Sequence, residues 1–138
     1  MKVLAIIVAL PVSGPTDPAQ CYASLHEAMD RAAHAALLVS THYEVGGAIY
    51  SQDRRYCYTA PVSQGKAGQI DYRVQIPKGA TLSALWHTHP GEYPATPQTA
   101  DRLSPEDRML ADKVGVPMFI VAIPQNVVVG YHVKGFDL

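Results

Sequence analysis

Apolar positions along this 138-residue chain recur with two periods, which divide it into helices and strands. Leu25, Ala28, Met29, Ala32 and Ala36 fall at helical spacing in a stretch of strong helix formers, and predict a helix over 21–40. Residues 43–49 and 55–59 read as short strands around a turn at 50–54, their aromatic and β-branched residues suiting a pleated surface. A loop at 65–68 precedes an alternating segment at 72–76, a turn at Pro77-Lys78-Gly79, and a strand at 82–89 that stops at Pro90. Pro94 and Pro97 make the next stretch irregular. Ser104 then stands as an N-cap, with Pro105 at the first helical position and Glu106 and Asp107 in the first turn, predicting a helix to Gly115. Residues 117–123 are continuously apolar, as in a strand covered on both faces, and 127–133 follow as the hairpin partner. Helices interspersed with strands predict one α/β (α+β) domain, a mixed central sheet flanked by helices, with no repeat or interdomain linker.

The only long apolar run, residues 3–12, is too short for a membrane-spanning helix, which needs about 20 residues. No stable membrane span is expected. With Lys2 before it and the polar stretch 13–18 after it, the run resembles a signal peptide, although no clean small-x-small cleavage site follows. Its Val, Leu and Ile content equally suits a buried strand. Residues 1–20 are thus a leader or an N-terminal strand, and 21–138 the working domain. A leader implies a periplasmic or secreted protein; otherwise the chain is cytoplasmic. Cys21 and Cys57 are compatible with one disulfide if exported, or with two ordinary thiols.

Composition narrows the function. Eleven Lys and Arg against twelve Asp and Glu give a net charge of −1, which excludes a nucleic-acid binder that needs a clustered basic surface. Hydrophobic residues at 48% suffice for a core, so wholesale disorder is excluded. The six His are the compositional hint of chemistry. His26 and His34, with Asp30 between them, read as solvated helix residues. His42 and His132 read as surface or satisfied strand residues, and Trp86 as core. Glu92 and Tyr93 are read as exposed loop or as lining of a cleft.

The remaining two His stand in Trp86-His87-Thr88-His89-Pro90. On a strand, residues i and i+2 share a face, so His87 and His89 present two imidazoles side by side, a bite suited to zinc. Asp107, in the first turn of a helix, supplies a carboxylate, and Glu44 lies upstream in the Gly-rich strand 43–49. A catalytic zinc keeps three protein ligands and one water position. Two His and one Asp supply three, and a separate Glu can move the proton.

The order Glu44…His87-Thr88-His89-Pro90…Ser104-x-x-Asp107 resembles the JAMM motif of the JAB/MPN metalloprotease family. The resemblance covers roughly residues 22–133 and is nearest to a bacterial branch found in exported or toxin-associated proteins. It implies a JAB/MPN-like (cytidine-deaminase-like) architecture and one zinc per chain, held by His87, His89 and Asp107. It further implies Glu44 as general acid/base, Ser104 as a stabiliser of the oxyanion, and a peptide or protein substrate whose peptide or isopeptide bond is hydrolysed. Fourteen residues separate His89 from Ser104, more than the family usually has. The insertion is read as an active-site flap or as a displacement of the third ligand. Asp101 is a rival for that ligand, with Asp107 preferred for its helix-start signature. Alternative functions are a non-catalytic MPN-like interaction module and a zinc hydrolase of a non-protein amide.

Overall fold

The computed structural model describes residues 2–10, 21–63, 69–92 and 96–132, with segments 2–10 and 69–73 as backbone alone. Among these residues the elements are β1 (Lys2–Leu10), β2 (Cys21–Tyr22), α1 (Leu25–Val39), β3 (Gly46–Gln52), β4 (Arg55–Tyr58), β5 (Gln69–Pro77) and β6 (Thr81–His89). A 3-10 turn (Pro97–Thr99), α2 (Pro105–Val114), β7 (Met118–Ala122) and β8 (Val127–Tyr131) follow. Six strands form one mixed sheet in the order β2-β4-β3-β6-β7-β8, while β1 pairs in parallel with β5. β6 and β7 are parallel, joined by the crossover that contains α2; the other neighbours in this sheet are antiparallel. The chain is a single α+β domain with two helices against a mixed sheet.

Side-chain size sets how the layers stack. Helix α1 buries Leu25, Ala28, Met29, Ala32, Ala33 and Ala36 against Val45, Ile49, Ala84, Trp86, Phe119 and Val121. Its alanines let the helix approach the sheet closely enough for Trp86 to fill the gap. Gly47 serves the same packing, because a Cβ there would lie 2.9 Å from Thr59 Oγ1 and 3.2 Å from Trp86 Cζ2. On the other face, Ala111 of α2 packs with Ala48, Leu85, Met118, Ile120 and Val74 of β5. Full burial of residues such as Trp86, Leu85, Met118 and Ile120 contributes about 1.5–3 kcal/mol each. That surplus lets the fold tolerate the polar cluster buried beside them.

Helix α1 starts at Leu25 rather than Cys21. Ser24 caps it, accepting the Glu27 N–H, while Cys21 and Tyr22 pair with Cys57 and Tyr56 as strand β2. A disulfide joins Cys21 to Cys57. The first hairpin also differs from expectation. Ser40 Oγ accepts the N–H groups of His42 and Tyr43, which closes a local turn and delays β3 to Gly46. β3 then runs to Gln52, and the turn shrinks to Asp53-Arg54, both left-handed at φ 53° and 62°. A two-residue hairpin requires that conformation, normally signalled by Asn-Gly or Asp-Gly. β5 extends beyond residues 72–76 because all nine of its residues pair with β1. Helix α2 begins and ends as expected, with Ser104 as cap and Gly115 left-handed at its C-terminus. β7 is buried along its whole length. The 65–68 loop, residues 11–20, Tyr93, Pro94 and Val133 lie outside the described residues.

Candidate functional site

Alternation along β6 directs Ala84 and Trp86 toward α1, and Leu85 into the cluster under α2. By the same parity His87 and His89 face α2, at the carboxyl end of the strand. Their Nε2 atoms lie 3.1 Å apart. The first turn of α2 brings in Asp107, with Oδ1 3.2 Å from His87 Nε2 and Oδ2 3.5 Å from His89 Nε2. A reciprocal cap aims this carboxylate. Ser104 Oγ accepts the Asp107 N–H at 3.1 Å, and the Ser104 N–H donates to Asp107 Oδ2 at 3.0 Å.

Glu44 arrives from the neighbouring strand, just before β3, where Gly46 pairs with His87. Three hydrogen bonds fix its backbone. The Thr88 N–H donates to the Val45 carbonyl at 2.8 Å, the Val45 N–H donates to Thr88 Oγ1 at 2.9 Å, and Ser63 Oγ donates to the Glu44 carbonyl at 2.8 Å. One ligand atom each of Glu44, His87 and His89 lies within 4.8 Å of the others.

All four side chains are buried: Glu44 is 2%, His87 0%, His89 7% and Asp107 0% exposed. Among the described residues, Glu44 Oε2 has no hydrogen-bond partner, and Asp107 Oδ1 faces only the ion-pair contact with His87. Buried polar atoms without partners cost roughly 1–3 kcal/mol each, more if charged, so such a cluster calls for a further group. The donor set suits a metal ion. His89 Nδ1 donates to the Ala100 carbonyl at 2.9 Å; a carbonyl only accepts, so the proton sits on Nδ1 and the Nε2 lone pair points into the cluster. Zinc bound tetrahedrally at about 2.0–2.2 Å holds its ligand atoms about 3.3 Å apart. The Nε2–Nε2 separation of 3.1 Å and the His87 Nε2–Asp107 Oδ1 separation of 3.2 Å are close to that spacing, while His89 Nε2 lies 3.5 Å from the other Asp107 oxygen, Oδ2. The buried Glu44–His87–His89 group can hold a metal ion, and Asp107 reaches both imidazoles.

The same proximity sets the electrostatics. Burial opposes ionisation of Asp107, but His87, His89 and the Ser104 N–H outweigh it and hold the carboxyl well below the carboxylate range. Burial likewise works to lower His87, yet Asp107 and then Glu44 raise it. Burial pushes Glu44 up from 4.5 to about 7, with Asp107 adding to the rise and His87 opposing it. A carboxyl whose folded pKa exceeds its unfolded one loses stability as pH rises between the two values. In metal-free protein, Glu44→Gln should therefore be more stable than the parent above pH 7, by roughly 3 kcal/mol, with the gain fading as pH falls toward 4.5. Urea unfolding of both proteins at pH 5 and pH 8 checks this; an equal difference at both would contradict it.

Asp101 lies half-buried in the turn before α2, and among the described residues the carboxylate paired with both imidazoles is Asp107. His26, Asp30, His34 and His132 are exposed. His42 and Glu92, also exposed, pair with each other at 2.6 Å. Sequence reasoning missed Thr88 as a clamp on the Glu44 segment and Ala100 as the acceptor that orients His89. A side chain alternating with the two His could have pointed to Thr88. Ala100 acts through its main chain and leaves no signature.

Comparison with protein-family models, curated proteins and solved structures finds no match. No described helix is long and apolar enough to cross a membrane.

Proposed function

We propose that this protein is a zinc-dependent hydrolase of peptide or isopeptide bonds, of JAB/MPN type. One observation carries the reading: His87 Nε2 lies 3.1 Å from His89 Nε2 and 3.2 Å from Asp107 Oδ1, close to the spacing of a zinc coordination sphere, beside the buried Glu44. His87, His89 and Asp107 would hold the ion, leaving Glu44 as the acid/base. Bound zinc supplies acidification of a water and polarisation of the scissile carbonyl.

The protein's own groups do the rest. Glu44, buried beside the two imidazoles, stands where it can take a proton from the attacking water and return it to the leaving amine. Ser104 spends only its oxygen lone pair on the helix cap, so its hydroxyl proton remains free to be donated to the oxyanion. Thr88 and Ser63 hold the Glu44 backbone in place. The order Glu44, His87-Thr88-His89, Ser104-x-x-Asp107 and a helical crossover between parallel strands support the JAB/MPN placement. The Cys21–Cys57 disulfide supports an exported protein working in an oxidising compartment.

Zinc-loaded protein incubated with a peptide library, including isopeptide-linked members, should give discrete cleavage products that the Glu44→Gln protein does not. Absence of cleavage by zinc-loaded wild type would count for a non-catalytic binding module.

A further inference from the structure

The stretch between His89 and Ser104 is longer than the zinc motif needs, and its described part is built as a brace. Thr96–Thr99 form a closed 3-10 turn: the Thr99 N–H donates to the Thr96 carbonyl at 3.2 Å, and the two hydroxyls meet at 2.9 Å. Pro97 stiffens the turn at its start. Two contacts tie it to the rest of the fold. Gln125 Nε2, from the turn after β7, donates to the Pro97 carbonyl at 2.6 Å. Gly91 is left-handed at φ 79°, and a Cβ there would lie 2.6 Å from Pro124 Cγ and 3.0 Å from Pro97 Cα. Directly after the turn comes Ala100, fully buried, whose carbonyl takes the Nδ1 proton of His89.

We infer that the segment Thr96–Ala100 is an outer-sphere lock on the metal centre, fixing the tautomer and ring angle of His89, and that Gly91 and Gln125 set metal affinity through it. A neutral imidazole offers either nitrogen, and only the Nδ1–H form points a lone pair at Asp107 and His87. A buried acceptor, held by these two ties, keeps that form populated before the ion arrives. Gly91 and Gln125 are positioning residues: neither lies among the side chains that meet at the centre. The inference rests on the zinc reading above but not on hydrolysis.

The test is zinc affinity by chelator competition for wild type, Gln125→Ala and Gly91→Ala, with long-range proton–nitrogen spectra of His89 in the metal-free proteins. Loss of outer-sphere partners typically weakens metal binding about 10–100-fold. Gln125→Ala should fall about tenfold or more while keeping its fold, with His89 shifting from pure Nδ1–H to a mixture. Gly91→Ala, whose Cβ would collide with the Pro124 ring and strain a left-handed backbone, should fall further; if it does not fold, Gln125→Ala alone decides. Unchanged affinity and tautomer in folded Gln125→Ala, or an Nε2–H His89 in wild type, would overturn the lock. Tight zinc binding without hydrolysis would leave the lock standing and remove the hydrolase. Wild type that binds no zinc would remove both.

Discussion

Glu44→Gln should abolish hydrolysis while leaving zinc bound. The substitution keeps the shape and the possibility of hydrogen bonding but cannot accept or return a proton. General acid–base catalysis contributes about 10²–10⁴-fold, so turnover should fall by at least that range. The backbone of residue 44 is held by Thr88 through Val45 and by Ser63, neither of which depends on the Glu44 carboxylate. His87, His89 and Asp107 keep their mutual distances for the same reason. Turnover and zinc content measured on one sample separate chemistry from binding. Turnover above about a tenth of wild type with zinc in place would remove Glu44 from the mechanism.

Asp107→Ala should lose the metal, and Asp101→Ala should not. Asp107 is fully buried and spans both imidazoles, so its removal leaves the buried His87, whose protonated form it favours, without its counter-charge. Breaking a buried pair by deleting one partner costs about 3–5 kcal/mol, and losing the Asp107 Oδ2 acceptor of the Ser104 N–H adds about 1 kcal/mol. Zinc affinity should drop by more than the ~100-fold that outer-sphere changes reach. Asp107→Asn guards against simple unfolding, because its amide oxygen can still accept the Ser104 N–H while the charge is gone. Chelator competition and thermal unfolding of the three variants decide. Near-wild-type affinity in folded Asp107→Asn, or zinc loss in Asp101→Ala, would reassign the third ligand.

The residues of this centre were legible because their spacing has direct geometric meaning. Two His at i and i+2 on a strand must share a face, and an acid three residues after a capping Ser must lie in the first turn. Both inferences need only local structure. The partnership of Glu44 with His89 is different, since it depends on β3 pairing antiparallel to β6 with Gly46 opposite His87. The Gly-rich strand after Glu44 and the motif resemblance point there, but no local spacing does. The Asp53-Arg54 turn was hidden because neither residue is the glycine or asparagine that left-handed backbone usually demands. β2 was absorbed into the helix because two residues carry no period, and its strand form comes from pairing with distant β4. The long His89–Ser104 spacing looked like a threat to the third ligand. In the fold the helix cap places Asp107 independently of that spacing, and the extra residues put Ala100 behind His89.

Anomalous diffraction at the zinc edge, from crystals grown with one equivalent of zinc, tests the central claim most directly. A single peak should appear within about 2.0–2.2 Å of His87 Nε2, His89 Nε2 and one Asp107 oxygen, with Glu44 beyond bonding distance. No peak at this cluster, or one ligated by Glu44 in place of Asp107, would contradict it.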